Sequence, residues 1–268
     1  MARKWNGMIE ATEAGMLRNR DTGGSVVAPK HGRAPLVFLH GLLGHVTNWD
    51  SVTAHFGKRR RLLPFSFNLY DTNSPYQNVE SLTQAALDDM RRAALDKAVV
   101  FGNSMGGQIA LNIALQAPER TAALVLTGSA GLLERGFSNS MPLNPTCDYI
   151  RERIMEIFYD PALATDELVG EIHALLQKNR NKLRLVKLAR ALKQQNLYDE
   201  LPRVVCPVLL IWGRNDRITP LRVAKTFADR LPNARLKVLD ECGHAPNIER
   251  PDDFNKLAEE FLCEIGCG

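Results

Sequence analysis

Short apolar runs alternate along the chain with longer stretches in which apolar and polar positions recur at helical spacing. The runs at 36–39, 61–67, 98–101, 122–127, 208–213 and 235–239 are mostly uninterrupted, as strands covered on both faces require, so they predict a parallel sheet inside the molecule. Between them, 79–95, 108–117, 221–231 and 252–263 carry helical periodicity, the last two with Pro220 and Pro251 at their starts. Strand and helix in turn predict an α/β architecture, a mostly parallel central sheet flanked by helices. From 131 to 201 the alternation stops. Three helical patterns, at 148–159, 165–178 and 181–196, follow one another with Pro, Asp or Asn between them. This segment reads as a helical cap inserted into a core made of 1–130 and 202–268. In its third helix Leu185, Leu188, Ala189 and Leu192 share one face. The first 34 residues, with Gly23-Gly24 and Pro29, read as an irregular entrance with a candidate hairpin.

Composition narrows this picture. With 268 residues, 45% hydrophobic and 24% charged, the chain can build one main core of the α/β size class. A net charge of +4 with scattered cations does not imply a nucleic-acid partner. One run, Lys178, Arg180, Lys182, Arg184, Lys187, Arg190 and Lys193, contains no acid. Its plain reading is a solvated outer face, and its sharper reading is attraction of an anionic substrate or an acidic carrier protein. Five cysteines without metal-ligand spacing read as reduced thiols and suggest the cytoplasm. Acids and arginines at Glu10, Glu13, Arg18, Arg20 and Asp21 interrupt any signal-like segment, and no run approaches the roughly 20 apolar residues of a membrane span. Neither zinc or calcium motifs nor a phosphate- or dinucleotide-binding glycine pattern occurs, so no metal or other cofactor is expected.

Candidate chemistry concentrates where a strand pattern meets a helix pattern, at Gly102-Asn103-Ser104-Met105-Gly106-Gly107. A strand can enter a helix through so sharp a turn only if nothing crowds the flanking backbone, which explains the glycines at either end of Gly-x-Ser-x-Gly. The serine at the apex is then exposed, but a hydroxyl is a poor nucleophile at neutral pH and needs a base whose tautomer is fixed by a third group. Asp216 follows the 208–213 run and His244 follows the 235–239 run, giving the order Ser, Asp, His. Asp240 is the nearest competitor for the carboxylate. His40 suits a structural role in a turn, whereas His31, His55 and His173 have no comparable setting. His45 is a candidate substrate contact as well as an ordinary surface histidine.

Taken together, His40-Gly41, the Ser104 turn, the Asp216 loop and Gly243-His244 make the stretch from Pro35 to Phe261 resemble the α/β-hydrolase fold enzymes with a helical cap. The resemblance implies Ser104 as nucleophile, His244 as general base and then acid, and Asp216 as the orienting carboxylate. It also implies an oxyanion hole built from the backbone N–H groups of Leu42 and Met105. Cap side chains Leu132, Phe137, Met141, Ile154 and Phe158 are the candidate pocket lining.

A serine at the elbow disfavours the haloalkane and epoxide chemistry of relatives that carry aspartate there, and favours acyl transfer. The wording around the three motifs is similar to small carboxylesterases and to the carbon–carbon bond hydrolases of aromatic ring cleavage. Ring-cleavage hydrolases typically carry a proline-containing oxyanion segment and an aromatic residue after the catalytic histidine, where this chain has His40-Gly41-Leu42-Leu43-Gly44 and Ala245. Residues 68–75 likewise replace the usual glycine-rich segment on one side of the pocket. The leading expectation is therefore a small or medium carboxylic ester as substrate, with ring-cleavage vinylogous diketones as the alternative. A ligand receptor built on the same fold is the alternative of another class.

Overall fold

The computed structural model describes residues 16–18, 25–27, 33–71, 74, 76, 78–132, 142 and 144–268. Two short strands, β1 (Met16–Arg18) and β2 (Ser25–Val27), pair antiparallel. Six strands then form one parallel sheet: β3 (Leu36–Leu39), β4 (Leu62–Phe65), β5 (Ala98–Asn103), β6 (Thr121–Thr127), β7 (Val208–Gly213) and β8 (Ala234–Leu239), in the spatial order β4-β3-β5-β6-β7-β8. Pro64 is tolerated within β4 because that strand is an edge of this sheet, where the missing N–H leaves one fewer ladder bond to satisfy.

Each central strand is buried on both faces, and its alternate residues feed two cores. Val37, Leu39, Val100, Leu124, Leu126, Leu210 and Trp212 face one layer, with α2 (Val79–Arg92), α3 (Met105–Gln116) and α7 (Leu221–Arg230). Leu36, Phe38, Phe101, Val125 and Ile211 face the other, with α1 (Asp50–Phe56) and α9 (Pro251–Glu264). On that side Phe38, Trp49, Phe101 and Phe254 stack at centroid separations of 5.0 to 6.4 Å, within the range where tilted aromatic pairs attract.

Between β6 and β7 lie α4 (Cys147–Ile157), α5 (Asp166–Leu176) and α6 (Asn179–Gln194). Their shared interior contains Ile150, Ile154, Ala164, Val169, Leu176 and Leu185, and it packs on Leu42, Leu43 and Tyr70 of the core. The α6 face expected from the sequence is buried, but it is divided: Leu185 enters this cap interior while Leu188 and Leu192 join the main core. Two further ties fix the cap. Leu197 N–H, beyond α6, donates to Gly131 O, beyond β6, at 2.7 Å. Gln108 on α3 reaches the carbonyls of Leu192 and Gln195 at 3.3 and 3.0 Å.

The basic run behaves differently from a uniform outer face. Arg184 turns inward and its guanidinium donates to Leu69 O, Asp71 O and Ser74 O at 2.9, 2.7 and 3.1 Å, and Lys182 is buried. The planar fork of arginine suits three carbonyls on one loop. These contacts, with Tyr70 Oη donating to Leu42 O at 3.0 Å, hold residues 69–71 and 74 against α6 and the turn at Leu42. Burial pushes the Tyr70 phenol well above its ordinary pKa, so it remains a donor throughout the working pH range.

Helix α8 (Pro246–Glu249), between the β8 loop and α9, is too short to leave a periodic signal. Helix α3 begins at Met105, three residues before the periodicity suggests, because Gly106 and Gly107 are weak helix formers tolerated for their close packing. No helix among the described residues is long and apolar enough to cross a membrane, and all five cysteines are free.

Candidate active site

The Ser104 turn joins β5 to α3 with Ser104 at φ 54° and ψ −120°, a conformation that L-residues other than glycine rarely adopt. Closeness enforces its glycines: a Cβ on Gly106 would sit 2.0 Å from Leu39 O, and one on Gly102 would sit 2.5 Å from Gly106 O. The strained serine is held by its own backbone, since Ser104 N–H donates to Thr127 O at 3.1 Å and Ser104 O accepts from Gly107 and Ala130 N–H at 2.9 and 3.0 Å.

His244 and Asp216 meet at the ends of neighbouring strands. His244 Nδ1 lies 2.9 Å from Asp216 Oδ2. The other carboxylate oxygen, Oδ1, accepts Ile218 and Thr219 N–H at 2.8 and 2.9 Å, and Thr219 Oγ1 donates to Oδ2 at 2.8 Å. Both side chains are buried, the Asp216 carboxylate completely. With Oδ2 as the acceptor, Nδ1–H is the donor of this contact, and the ring's lone pair then falls on Nε2.

Two contacts bring this pair to the serine. Asn103, the residue before Ser104, donates through Nδ2 to both Thr127 O and His244 O at 3.2 Å. The imidazole lies against Gly128, at φ +50°, where a Cβ would stand 2.7 Å from Nδ1 and 2.8 Å from Cε1. Gly128 directly follows Thr127, whose carbonyl takes the Ser104 N–H, so serine and imidazole occupy adjacent strand ends. Asp240 is turned elsewhere: its carboxylate pairs with Arg214 and its carbonyl accepts from Arg250 at 3.1 Å.

The His40-Gly41-Leu42 turn stands over the serine, with a Cβ on Gly41 only 3.3 Å from Ser104 Cβ. Leu42 follows Gly41 in that turn, and Met105 is the first residue of α3. His40 Nδ1–H donates to Gly41 O at 2.8 Å, and its Nε2 accepts Phe67 N–H at 3.4 Å, so the neutral ring braces the turn. Burial is the main cause that lowers the His40 pKa from 6.5 to about 4. In the unfolded chain the ring titrates near 6.5, so between about pH 6.5 and 4 the unfolded state binds the additional proton. The stability contributed is therefore complete above pH 6.5 and is lost as pH falls toward 4, amounting to about 3 kcal/mol. Urea midpoints measured from pH 7 to pH 4 are expected to fall less steeply in His40→Gln, which keeps a donor and an acceptor but does not titrate. An equal slope in both proteins would refute the assignment.

The remaining candidates are placed as follows. His45 caps a 3-10 turn at Val46–Trp49, accepting Thr47 N–H at 3.4 Å, and burial lowers its pKa. Ile154 is buried within the cap interior, Phe158 packs partly buried against it, and Leu132 packs against the main core. Phe137 and Met141 lie outside the described residues. Thr219, Asn103 and Gly128 were not singled out by the sequence. Thr219 has a faint signal in the Asp-x-x-Thr spacing of a side-chain-capped turn, but the others reveal themselves only through partners distant in the chain. Among the described residues no group of three or more His, Cys, Asp or Glu comes together as a metal would need.

A strained serine turn and a buried imidazole–carboxylate pair thus stand at the carboxyl ends of the strands of one parallel sheet. The chain belongs to the alpha/beta hydrolase family, whose model matches residues 36–257. It is 35% identical over 182 residues to a 2-hydroxy-6-oxononadienedioate/2-hydroxy-6-oxononatrienedioate hydrolase of Comamonas testosteroni, a match spanning 63% of each chain. It is 31% identical over 249 residues to a 2-hydroxymuconate semialdehyde hydrolase from a Pseudomonas species, covering 86% of this chain and 87% of the relative. Among solved structures, a meta-cleavage product hydrolase from Pseudomonas fluorescens shares the fold with a TM-score of 0.78 at 24% identity, over 94% of this chain and 96% of that one.

Proposed function

We propose that the protein is a serine hydrolase that cleaves the carbon–carbon bond of a vinylogous diketone of the 2-hydroxy-6-oxo dienoate type. The observation that carries the hydrolase reading is the buried Asp216–His244 pair, 2.9 Å apart and seated on Gly128 beside the Ser104 elbow. In this reading Ser104 Oγ adds to the ketone carbonyl as its proton passes to His244 Nε2, and the oxyanion is received by Leu42 and Met105 N–H. Collapse of the adduct breaks the bond to the neighbouring carbon. For the electron pair of that bond to be accepted, the dienol first moves its 2-hydroxyl proton to C5, giving the 2,6-dioxo tautomer. The pair then spreads from C5 as a dienolate onto the C2 carbonyl, and His244 returns the serine proton to that fragment. Water, deprotonated by His244, then hydrolyses the acyl-Ser104 ester to a carboxylic acid.

The names of the Comamonas and Pseudomonas relatives support this choice of bond over the ester favoured by the local sequence departures. Ester cleavage stays as the second reading for one reason: Ala245 is the residue after His244 and is itself buried, so no aromatic ring stands there. Both routes share one acyl-enzyme. The exposed cations Lys178, Arg180, Lys187 and Arg190 leave an acidic carrier as a proposal for the ester case, with salt sensitivity as its mark.

The discriminating experiment is a panel of p-nitrophenyl esters of increasing acyl length beside a 2-hydroxy-6-oxo-6-phenyl dienoate, followed by loss of the dienoate's visible absorbance. We expect kcat/KM for the dienoate to exceed that for the best ester by at least about tenfold, a difference of about 1.4 kcal/mol in transition-state stabilisation. An intact dienoate together with rapid ester turnover would replace the first reading by the second.

A further inference from the structure

We propose that Glu249 is a positioning residue for His244: its carboxylate holds the backbone on both sides of the histidine and ties that loop to the docked end of cap helix α4. This rests on the assignment of His244 as the base. Three consecutive N–H groups in the loop after β8 are involved. Gly243 N–H donates to both Glu249 oxygens at 3.0 and 3.1 Å, and Ala245 N–H donates to Oε1 at 3.2 Å. Between them, His244 N–H donates to Ile157 O, the last residue of α4, at 2.7 Å. Tyr159 N–H, two residues further along the cap, donates to Glu249 Oε2 at 2.7 Å. One carboxylate thus receives N–H groups from the histidine loop and from the cap, while the cap returns a carbonyl to the histidine itself.

This arrangement does what a tautomer-fixing partner cannot. Asp216 sets the ring's hydrogen bond from the β7 loop, whereas the backbone at 244 is held by Asn103 at its carbonyl and by the Glu249 clamp on either side. The β8 loop has a reason to need restraint, since Glu241 lies at φ 50°, a strained conformation three residues before the histidine. Hydrogen bonds to an ionised acceptor are roughly twice as strong as neutral ones, so a carboxylate is a firm clamp for such a turn. Burial raises the Glu249 pKa, and the three N–H partners oppose that rise. The α4 end and the imidazole therefore move as one body, so displacement of the cap displaces the base.

The test compares wild type, Glu249→Ala and Glu249→Asp on an ester or dienoate that wild type turns over and Ser104→Ala does not. Two readouts are taken: kcat and KM separately, and the downfield proton resonance of His244 Nδ1–H bonded to Asp216. Misplacement of a catalytic group by about 1 Å costs about 10²-fold, so Glu249→Ala is expected to lose about 10² in kcat with little change in KM. Its downfield resonance should broaden or vanish. Glu249→Asp retains the charge on a shorter arm and should fall between the two in both readouts. An unchanged kcat in either folded variant, or a lowered kcat with an unaltered resonance, would overturn the inference. Should Glu249→Ala fail to fold, Glu249→Asp decides by the same criteria. Turnover surviving in Ser104→Ala is a separate result and counts against the proposed function.

Discussion

Ser104→Ala is expected to reduce turnover of every substrate in the panel by about 10⁵ to 10⁶-fold, the scale at which loss of a triad member disables the whole unit. The figure is large because a base and an oxyanion site accelerate little without the nucleophile they serve. The elbow is built around that residue alone, with Gly102 and Gly106 packed too closely to admit a side chain. Residual catalysis would come from the two N–H groups and from substrate binding. Stability should change little: alanine has the same Cβ, and the turn is held by Ser104 N–H and O rather than by its hydroxyl. The variant should therefore bind the dienoate with near-normal affinity while failing to bleach it. Turnover within tenfold of wild type, measured on protein free of contaminating hydrolase, would rule out Ser104 as the nucleophile.

Much of this architecture was legible along the chain because both faces of the central strands are covered. Runs such as 98–101 and 208–213 read as continuous apolar segments because their alternate residues enter two different cores. The elbow and the order Ser104, Asp216, His244 were legible for another reason: sharp turns demand particular residues at particular positions. Elements whose identity depends on distant partners were not legible. Helix α1 buries only Val52 and Phe56 over its two turns and leaves no sustained period. Arg184 looks like one more cation on α6 until the loop carbonyls of Leu69, Asp71 and Ser74 are placed beside it. Gly128 and Glu249 bear on His244 from 116 and 5 positions away, through contacts that composition and periodicity do not encode. Short-range chemistry located the candidate site, and long-range packing determines how it is supported.

Asp216→Asn is the sharper probe of the mechanism, because its geometry dictates which way the new amide must face. Oδ1 of Asp216 accepts two backbone N–H groups, from Ile218 and Thr219. The asparagine carbonyl must take that position, since an NH2 there would oppose two donors in a buried site. The amide NH2 is then forced into the place of Oδ2, where it meets His244 Nδ1 at a position now 2.9 Å from an acceptor. Thr219 Oγ1 can rotate its proton away and accept, but the imidazole must exchange its donor for a lone pair at Nδ1. Its proton moves to Nε2, the nitrogen that should deprotonate Ser104. By analogy with serine-protease triads, kcat should drop about 10⁴-fold with the fold intact. Nitrogen-15 spectra of the histidine ring should report Nδ1–H in wild type and Nε2–H in the variant. Asp240→Asn is the matched control: it disrupts only the exposed pair with Arg214 and should leave both kcat and tautomer unchanged. If the two variants behaved alike, the carboxylate at 216 would be a turn-forming group and the orientation of His244 would have to come from elsewhere.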